Sequence, residues 1–260
     1  MTEYATNIYK KIPSTAEKIV YQASIITAIF SVCYLLSVLM SGNSWLMIIN
    51  LDISGTGMIL SLIQCLLAIA ALNVPMLITK FTRIKLPDTL CILFYMFIIC
   101  ATVLGEMFSL YYTIPHWDSF LHLGSGIMAG MLGSILLVEF LKSKKCTVLI
   151  SPMFVAIVAV CFALCVGVVW EIYEFAGDNL LGLNMQKCLM QDGSELIGKA
   201  AVTDTMKDLI VDLIGALIAS LASHKSLKDK KGWLHSYRYN QKTAQIYRPI
   251  FERQAMPHSP

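Results

Sequence analysis

Residues 148–177 read VLISPMFVAIVAVCFALCVGVVWEIYEFAG and carry no charged side chain before Glu171. A helix needs about 20 mostly apolar residues to cross the hydrocarbon core of a bilayer, and this stretch is long enough. The stretch therefore predicts a membrane-spanning helix, and it decides the class of the fold.

Five further segments pass the same length test: residues 19–41, 56–79, 86–112, 117–141 and 204–223. The whole chain is 57% hydrophobic and only 14% charged, and its mean hydropathy is +0.66. Soluble domains carry about 25% charged residues, so a soluble protein of this size could not bury so much apolar surface. We predict an all-α, polytopic membrane helix bundle with about six transmembrane helices, surrounded by the lipid bilayer.

The basic residues predict the orientation of these helices. Cytoplasmic loops of membrane proteins are enriched in Lys and Arg. Every basic residue except Lys187, Lys199 and Lys207 precedes the first segment, follows the sixth, or lies between the second and third or the fourth and fifth. Both termini are therefore predicted to be cytoplasmic.

This orientation divides the chain into three parts. Residues 1–18 form a cytoplasmic N-terminal segment, residues 19–223 the six-helix transmembrane domain, and residues 224–260 a cytoplasmic basic tail. The basic residues occur in short groups rather than along one stripe, so we expect no nucleic-acid partner.

The acidic residues have the opposite distribution. Those that fall toward the predicted outer side are Glu106, Asp118, Glu171, Glu174, Asp178, Asp192, Glu195, Asp204, Asp208 and Asp212. A charge inside an apolar helix costs a few kcal/mol or more unless it is paired or hydrated. The outer ends of the helices are therefore predicted to hold a functional polar site.

The fourth and fifth segments each carry a stripe of ionisable residues. Asp118 and His122 are four positions apart and so share one helix face. Asp118 is also a plausible N-cap, whereas His122 lies a full turn inside an apolar helix. Glu171, Glu174 and Asp178 form a second stripe near a helix C-terminus, where carboxylates oppose the helix dipole and repel each other. A bound proton or cation would relieve that repulsion.

The sixth segment carries a third stripe, Asp204, Asp208 and Asp212, at intervals of four residues. Asp204 can cap the helix, but Asp212 lies two turns inside it among apolar neighbours and should face the protein interior. Gly126 and Gly130 in the fourth segment form a GxxxG pair, which indicates close helix packing rather than chemistry.

Three uses of these groups stay open at this point: a cation site, a proton relay and general acid–base catalysis. The sequence contains no G-x-S-x-G motif and no cysteine near the histidine, which argues against a nucleophilic hydrolase. Candidate catalytic residues are His122, Glu171, Glu174 and Asp212. A divalent cation (Zn²⁺, Mn²⁺ or Mg²⁺) would be held by Asp118, His122, Glu171, Glu174, Asp208 and Asp212.

The spacing of these motifs resembles a known family. Asp118-x-x-x-His122, Trp170-Glu171-x-x-Glu174-Phe175 and Asp204-Thr205-x-x-Asp208-x-x-x-Asp212-x-x-Gly215 resemble the YjdF-type family of bacterial membrane-spanning proteins, and more distantly the VanZ-like family. The resemblance covers about residues 86–220. It implies a multi-pass protein of the bacterial cytoplasmic membrane, but no settled activity.

The favoured interpretation is a site open to the extracytoplasmic face that binds or acts on an envelope or lipid-linked component. The outer loop, residues 179–202, has the length of a lid over such a site. An ion- or proton-coupled transporter and a structural or regulatory subunit are the alternatives. Whether the protein is an enzyme is left open by the sequence.

Overall fold

A computed structural model of the chain describes residues 13–41, 55–82, 84–143, 151–186, 188 and 194–234. Its helices are α1 (Thr15–Ser41), α2 (Gly55–Ala71), α3 (Val74–Thr82), α4 (Asp88–Ile99), α5 (Leu110–Thr113), α6 (Trp117–Ser143), α7 (Pro152–Leu181) and α8 (Lys199–Lys228). A π-helical segment, Cys100–Met107, continues α4. The predicted all-α fold is confirmed.

Five helical segments among the described residues are long and apolar enough to cross a membrane: Thr15–Met40, Ser61–Thr82, Asp88–Met107, Trp117–Leu141 and Pro152–Leu181. They confirm a polytopic membrane protein. The helix of the sixth predicted span, α8, has 30 residues but is not among the five. Its crossing of the membrane, and with it the cytoplasmic location of both termini, stays a prediction. Residues 1–12 and 235–260 of the predicted terminal segments lie outside the described residues.

Two predicted spans are interrupted in the structure. The span predicted over residues 56–79 is divided by a turn at Leu72–Asn73, where the Tyr21 hydroxyl donates a hydrogen bond of 3.0 Å to Oδ1 of Asn73. The span predicted over residues 86–112 ends at Met107, and Ser109 then adopts φ 57° before α5 begins. A single left-handed residue leaves no mark on the hydrophobic pattern, so the sequence did not reveal this turn.

The ends of α7 and α8 also differ from the prediction. The hydroxyl of Ser151 caps α7 by accepting from the backbone N–H of Phe154, and Pro152 occupies the first helical turn, where it is well tolerated. Helix α7 ends at Leu181, and the next residue, Gly182, has φ 64° and forms its C-cap. Helix α8 extends beyond the predicted residues 204–223 in both directions, and the chain after it buries Leu234 fully.

Small residues bring α6 and α8 into close contact. A Cβ at Gly126 would collide with the backbone oxygen of Asp212, and one at Gly130 would lie 2.9 Å from the Cβ of Ala219. A Cβ at Gly215 would likewise meet the backbone oxygen of Leu123. These contacts confirm that the GxxxG pair mediates close packing. These contacts follow the same order along both helices, so α6 and α8 run parallel.

Candidate metal centre

Buried ionisable side chains gather at one end of α6, α7 and α8. They come from the first turns of α6, the C-terminal part of α7 and the first half of α8. They are only 2–7% exposed: His122, Glu171, Glu174, Asp208 and Asp212. An ionised group buried without a partner costs several kcal/mol, so each of them needs a hydrogen bond, an opposite charge or a cation.

Asp212 of α8 contacts one of the two ring nitrogens of His122 on α6. Oδ2 of Asp212 lies 3.2 Å from Nδ1 of His122, and Oδ1 accepts a 2.7 Å hydrogen bond from the Ser125 hydroxyl. A carboxylate can only accept, so Nδ1 of His122 carries the proton in this pair. When the ring is neutral, the second nitrogen, Nε2, keeps a lone pair that can bind a cation.

Glycines make room for the Asp212 carboxylate. A Cβ on Gly167 of α7 would lie 2.6 Å from Oδ2 of Asp212, so any larger residue would compete with the carboxylate for the same space. Gly126 of α6 gives the same freedom to the Asp212 backbone. The two glycines explain why a carboxylate fits between three helices that touch one another.

Carboxylates surround the Nε2 side of His122. Oδ1 of Asp118 and Oε1 of Glu171 each lie 3.9 Å from Nε2. Asp208 completes a group with Asp118 and His122 in which one ligand atom of each residue lies within 4.8 Å of the others. Among the described residues, Oε1 of Glu171 and Oδ1 of Asp208 are buried without a hydrogen-bond partner.

These separations suit a shared cation better than direct hydrogen bonds. A distance of 3.9 Å exceeds that of a hydrogen bond. Two donors that each lie about 2.1 Å from one cation are at most about 4.2 Å apart. The ligand atoms of Asp118, His122 and Asp208, which lie within 4.8 Å of one another, are thus close to the spacing at which one cation could be shared.

The acidic stripe of α7 divides into two parts. Glu174 is buried and its Oε1 accepts a 2.8 Å hydrogen bond from the indole N–H of Trp170. Asp178 is only partly buried and accepts from the backbone N–H groups of Met185 (2.6 Å) and Gln186 (3.0 Å). Asp178 thus holds the chain after α7, while Glu171 and Glu174 face the cluster. The predicted role of the loop as a lid stays a prediction, because residues 187 and 189–193 lie outside the described residues.

Tyr111 also belongs to this end of the molecule, although it is not among the predicted site residues. It lies on α5, outside the five membrane-spanning segments, and its ring occupies the space where a Cβ of Gly105 would be. Burial, and then the carboxylates of Glu106, Asp118 and Glu174, raise the pKa of its hydroxyl. The phenol is therefore neutral and can donate. In the sequence, the one indication that Tyr111 belongs to the site is its position at the outer end of the third predicted span.

Cys188 is the described cysteine in the outer loop. Burial, and then the neighbouring carboxylates of Asp178 and Asp204, raise the pKa of its thiol. A thiol that stays protonated at neutral pH is a poor nucleophile.

Comparison with known proteins identifies the family of the chain. A family described as "Predicted membrane protein (DUF2238)" matches residues 23–229, which include all three stripes, most of the first predicted span and the whole of the second. Comparisons with curated proteins and with solved structures found no match. The family fits the resemblance to YjdF-type membrane proteins, whereas the more distant similarity to VanZ-like proteins stays a prediction. The chain belongs to the DUF2238 family of predicted membrane proteins.

Proposed function

We propose that the outer ends of α6, α7 and α8 bind a divalent cation, which the protein uses to bind or convert an envelope or lipid-linked molecule. The observation that carries the proposal is the group of Asp118, His122 and Asp208, whose ligand atoms lie within 4.8 Å of one another. Glu171, with an unpartnered oxygen 3.9 Å from Nε2 of His122, is the fourth ligand in this proposal.

The partners of His122 support this assignment. Metal-binding histidines commonly donate their second ring N–H to a carboxylate, which sets the tautomer and the ring orientation. Asp212 stands in that relation to His122, with Oδ2 at 3.2 Å from Nδ1. We therefore assign Asp212 an orienting role behind the histidine, rather than the direct ligation that its position in the sequence suggested.

The charges of the site support a cation. Asp118, Glu171, Glu174, Asp208 and Asp212 provide five carboxylates, against a single imidazole. One imidazole nitrogen combined with carboxylate oxygens suits Zn²⁺ or Mn²⁺ better than Ca²⁺ or Mg²⁺, which prefer oxygen ligands throughout. Mg²⁺, which the sequence analysis also named, is the less favoured occupant.

A bound cation would supply an acidified water molecule if the protein is an enzyme. Glu174, one turn beyond Glu171, interacts electrostatically with both Glu171 and His122 and is not needed as a ligand. We assign Glu174 as the group that accepts the proton of that water. In hydrolysis the oxygen of that water would bond to the attacked atom of an envelope or lipid-linked substrate, on the side of the membrane that faces away from the cytoplasm. The bond to the leaving group would break, and the leaving group would depart with the proton that Glu174 had accepted.

The transporter alternative has less support than the cation site. Beyond Asp212, contacts between small residues close the interface of α6 and α8, notably Gly130 with Ala219. Further along, Ser134 and Ser223 are fully buried and bond to each other at 2.9 Å. Such close packing leaves little room for a hydrated path from the cluster along this interface.

Metal content tests the proposal. Full-length protein in detergent would be stripped with EDTA, incubated with Zn²⁺, Mn²⁺ or Mg²⁺, desalted and analysed by mass spectrometry of the elements. We expect about one Zn²⁺ or Mn²⁺ per chain, and a loss of binding in the double variant His122→Ala plus Glu171→Gln. Glu195→Gln, which removes an exposed carboxylate of the outer loop, is the matched control and should bind normally.

Two results would contradict the proposal. Absence of stoichiometric metal from the intact, folded protein would exclude the cation site. Uptake of ions into reconstituted vesicles that is driven by membrane potential and abolished by Asp212→Asn would favour the transporter instead.

A further inference from the structure

Hydrogen bonds connect the segment after α7 to Thr205 of α8, whose side chain interacts with the carboxylate of Glu171. Asp178 accepts from the backbone N–H groups of Met185 and Gln186, at 2.6 and 3.0 Å. The side-chain amide of Gln186 then donates to Oγ1 of Thr205 on α8, at 3.1 Å. The Thr205 side chain also interacts with the Glu171 carboxylate across the interface of α7 and α8.

The direction of these bonds is determined by their chemistry. The Thr205 oxygen accepts from the Gln186 amide, so the single hydroxyl proton of Thr205 is available to donate elsewhere. Ionised Glu171 can only accept, and it therefore receives that proton. Oε1 of Glu171, which lies 3.9 Å from Nε2 of His122, has no hydrogen-bond partner among the described residues and remains available to a cation.

We infer that Gln186 and Thr205 are positioning residues that orient Glu171 as a cation ligand. The inference rests on the proposed function, because it assigns the support of one ligand in that site. It extends that function by coupling the cation site to the segment that follows α7. A movement of Gln186 would release Thr205 and free the Glu171 side chain to rotate away from His122.

Packing under this segment supports a defined position for Gln186. A Cβ on Gly177 would lie 2.9 Å from the sulfur of Met185, so the residue next to Gln186 rests directly on α7. Together with the two bonds from Asp178, this contact sets the position from which Gln186 reaches α8. The partners that orient metal ligands typically contribute about 10–100-fold to affinity.

Calorimetric titration of Zn²⁺ or Mn²⁺ into EDTA-treated, full-length protein in detergent tests the inference. Thr205→Val removes the hydroxyl at nearly constant volume and should weaken binding about 10-fold, and Thr205→Ser should restore it to within about 3-fold of the parent. Thr203→Val is the matched control. The Thr203 hydroxyl is exposed and bonds only to Lys199 O of its own helix (2.7 Å), so this variant should bind like the parent.

The outcomes separate this inference from the proposed function. If the parent binds and Thr205→Val binds equally tightly, the relay is wrong and the cation site stands. If the parent binds no metal, both are overturned. Unfolding temperatures measured in EDTA show whether Thr205→Val is folded. If it is not, Gln186→Leu decides, since it removes the amide that donates to Thr205 and should show the same weakening.

Discussion

Nδ1 of His122 lies 3.2 Å from Oδ2 of Asp212, a contact between residues 90 positions apart in the sequence. It joins the second turn of α6 to α8 in the buried interior. The carboxylate leaves Nε2 of His122 facing Asp118 and Glu171. The same pair therefore holds two helices together and presents an imidazole lone pair to the cluster.

Replacement of Asp212 by Asn should weaken metal binding while the protein remains folded. The amide is nearly the same size and can still accept from the Ser125 hydroxyl, but it lacks the charge that holds the His122 tautomer. We expect the dissociation constant for Zn²⁺ or Mn²⁺ to rise about 10–100-fold, measured by calorimetry. Glu195→Gln serves as the control. An unchanged constant in folded Asp212→Asn protein would remove Asp212 from its orienting role.

Gly167→Ala should destabilise the bundle and disturb the site together. The added Cβ would lie 2.6 Å from Oδ2 of Asp212, so the carboxylate or α7 has to shift. We expect a loss of about 1–3 kcal/mol in the free energy of unfolding and weaker metal binding. Gly124→Ala is the matched control on α6, since its Cβ would meet no atom within 4 Å. Equal stabilities of the two variants would contradict the crowding around Asp212.

The contact between Gly105 and Tyr111 can be tested by a double-mutant cycle. Gly105→Ala places a Cβ where the Tyr111 ring lies, so we expect it to cost about 1–3 kcal/mol in the free energy of unfolding. In a Tyr111→Ala background the same substitution should cost less than about 0.5 kcal/mol, because the colliding ring is gone. Denaturant titration in detergent measures each corner. Additive effects would show that the ring does not lie against Gly105.

The number of membrane crossings can be tested with reporters fused to each end of the full chain. If α8 crosses, the count of spans is even and both termini share one side, as the positive charges predict. A fluorescent protein that matures only in the cytoplasm should then be bright at either terminus, and alkaline phosphatase should be inactive at both. Reporters on opposite sides would show that α8 does not cross the membrane.

The stripes on the helices could be predicted because each is a local property of spacing. Asp118 and His122 share a face by their interval of four, and the burial of Asp212 followed from its apolar neighbours on α8. The prediction that the three stripes lie close together depended on three separate helices packing against one another. Asp178 shows that a shared helix face does not imply a shared role. It continues the stripe of Glu171 and Glu174, but it accepts hydrogen bonds from backbone N–H groups of the following segment.

The sequence by itself determined a helical membrane protein with stripes of acidic residues on its last helices, because apolar length and local periodicity depend only on residues that are near one another in the chain. Tertiary structure alone decided which groups meet. Gly167 makes room for Asp212, the turn at Ser109 precedes the helix whose Tyr111 packs against Gly105, and Asp212 contacts one nitrogen of His122 while the other faces Asp118 and Glu171. The physical reason is that these relations depend on the separation of helices distant in the sequence, which side-chain volumes and backbone turns set only after packing.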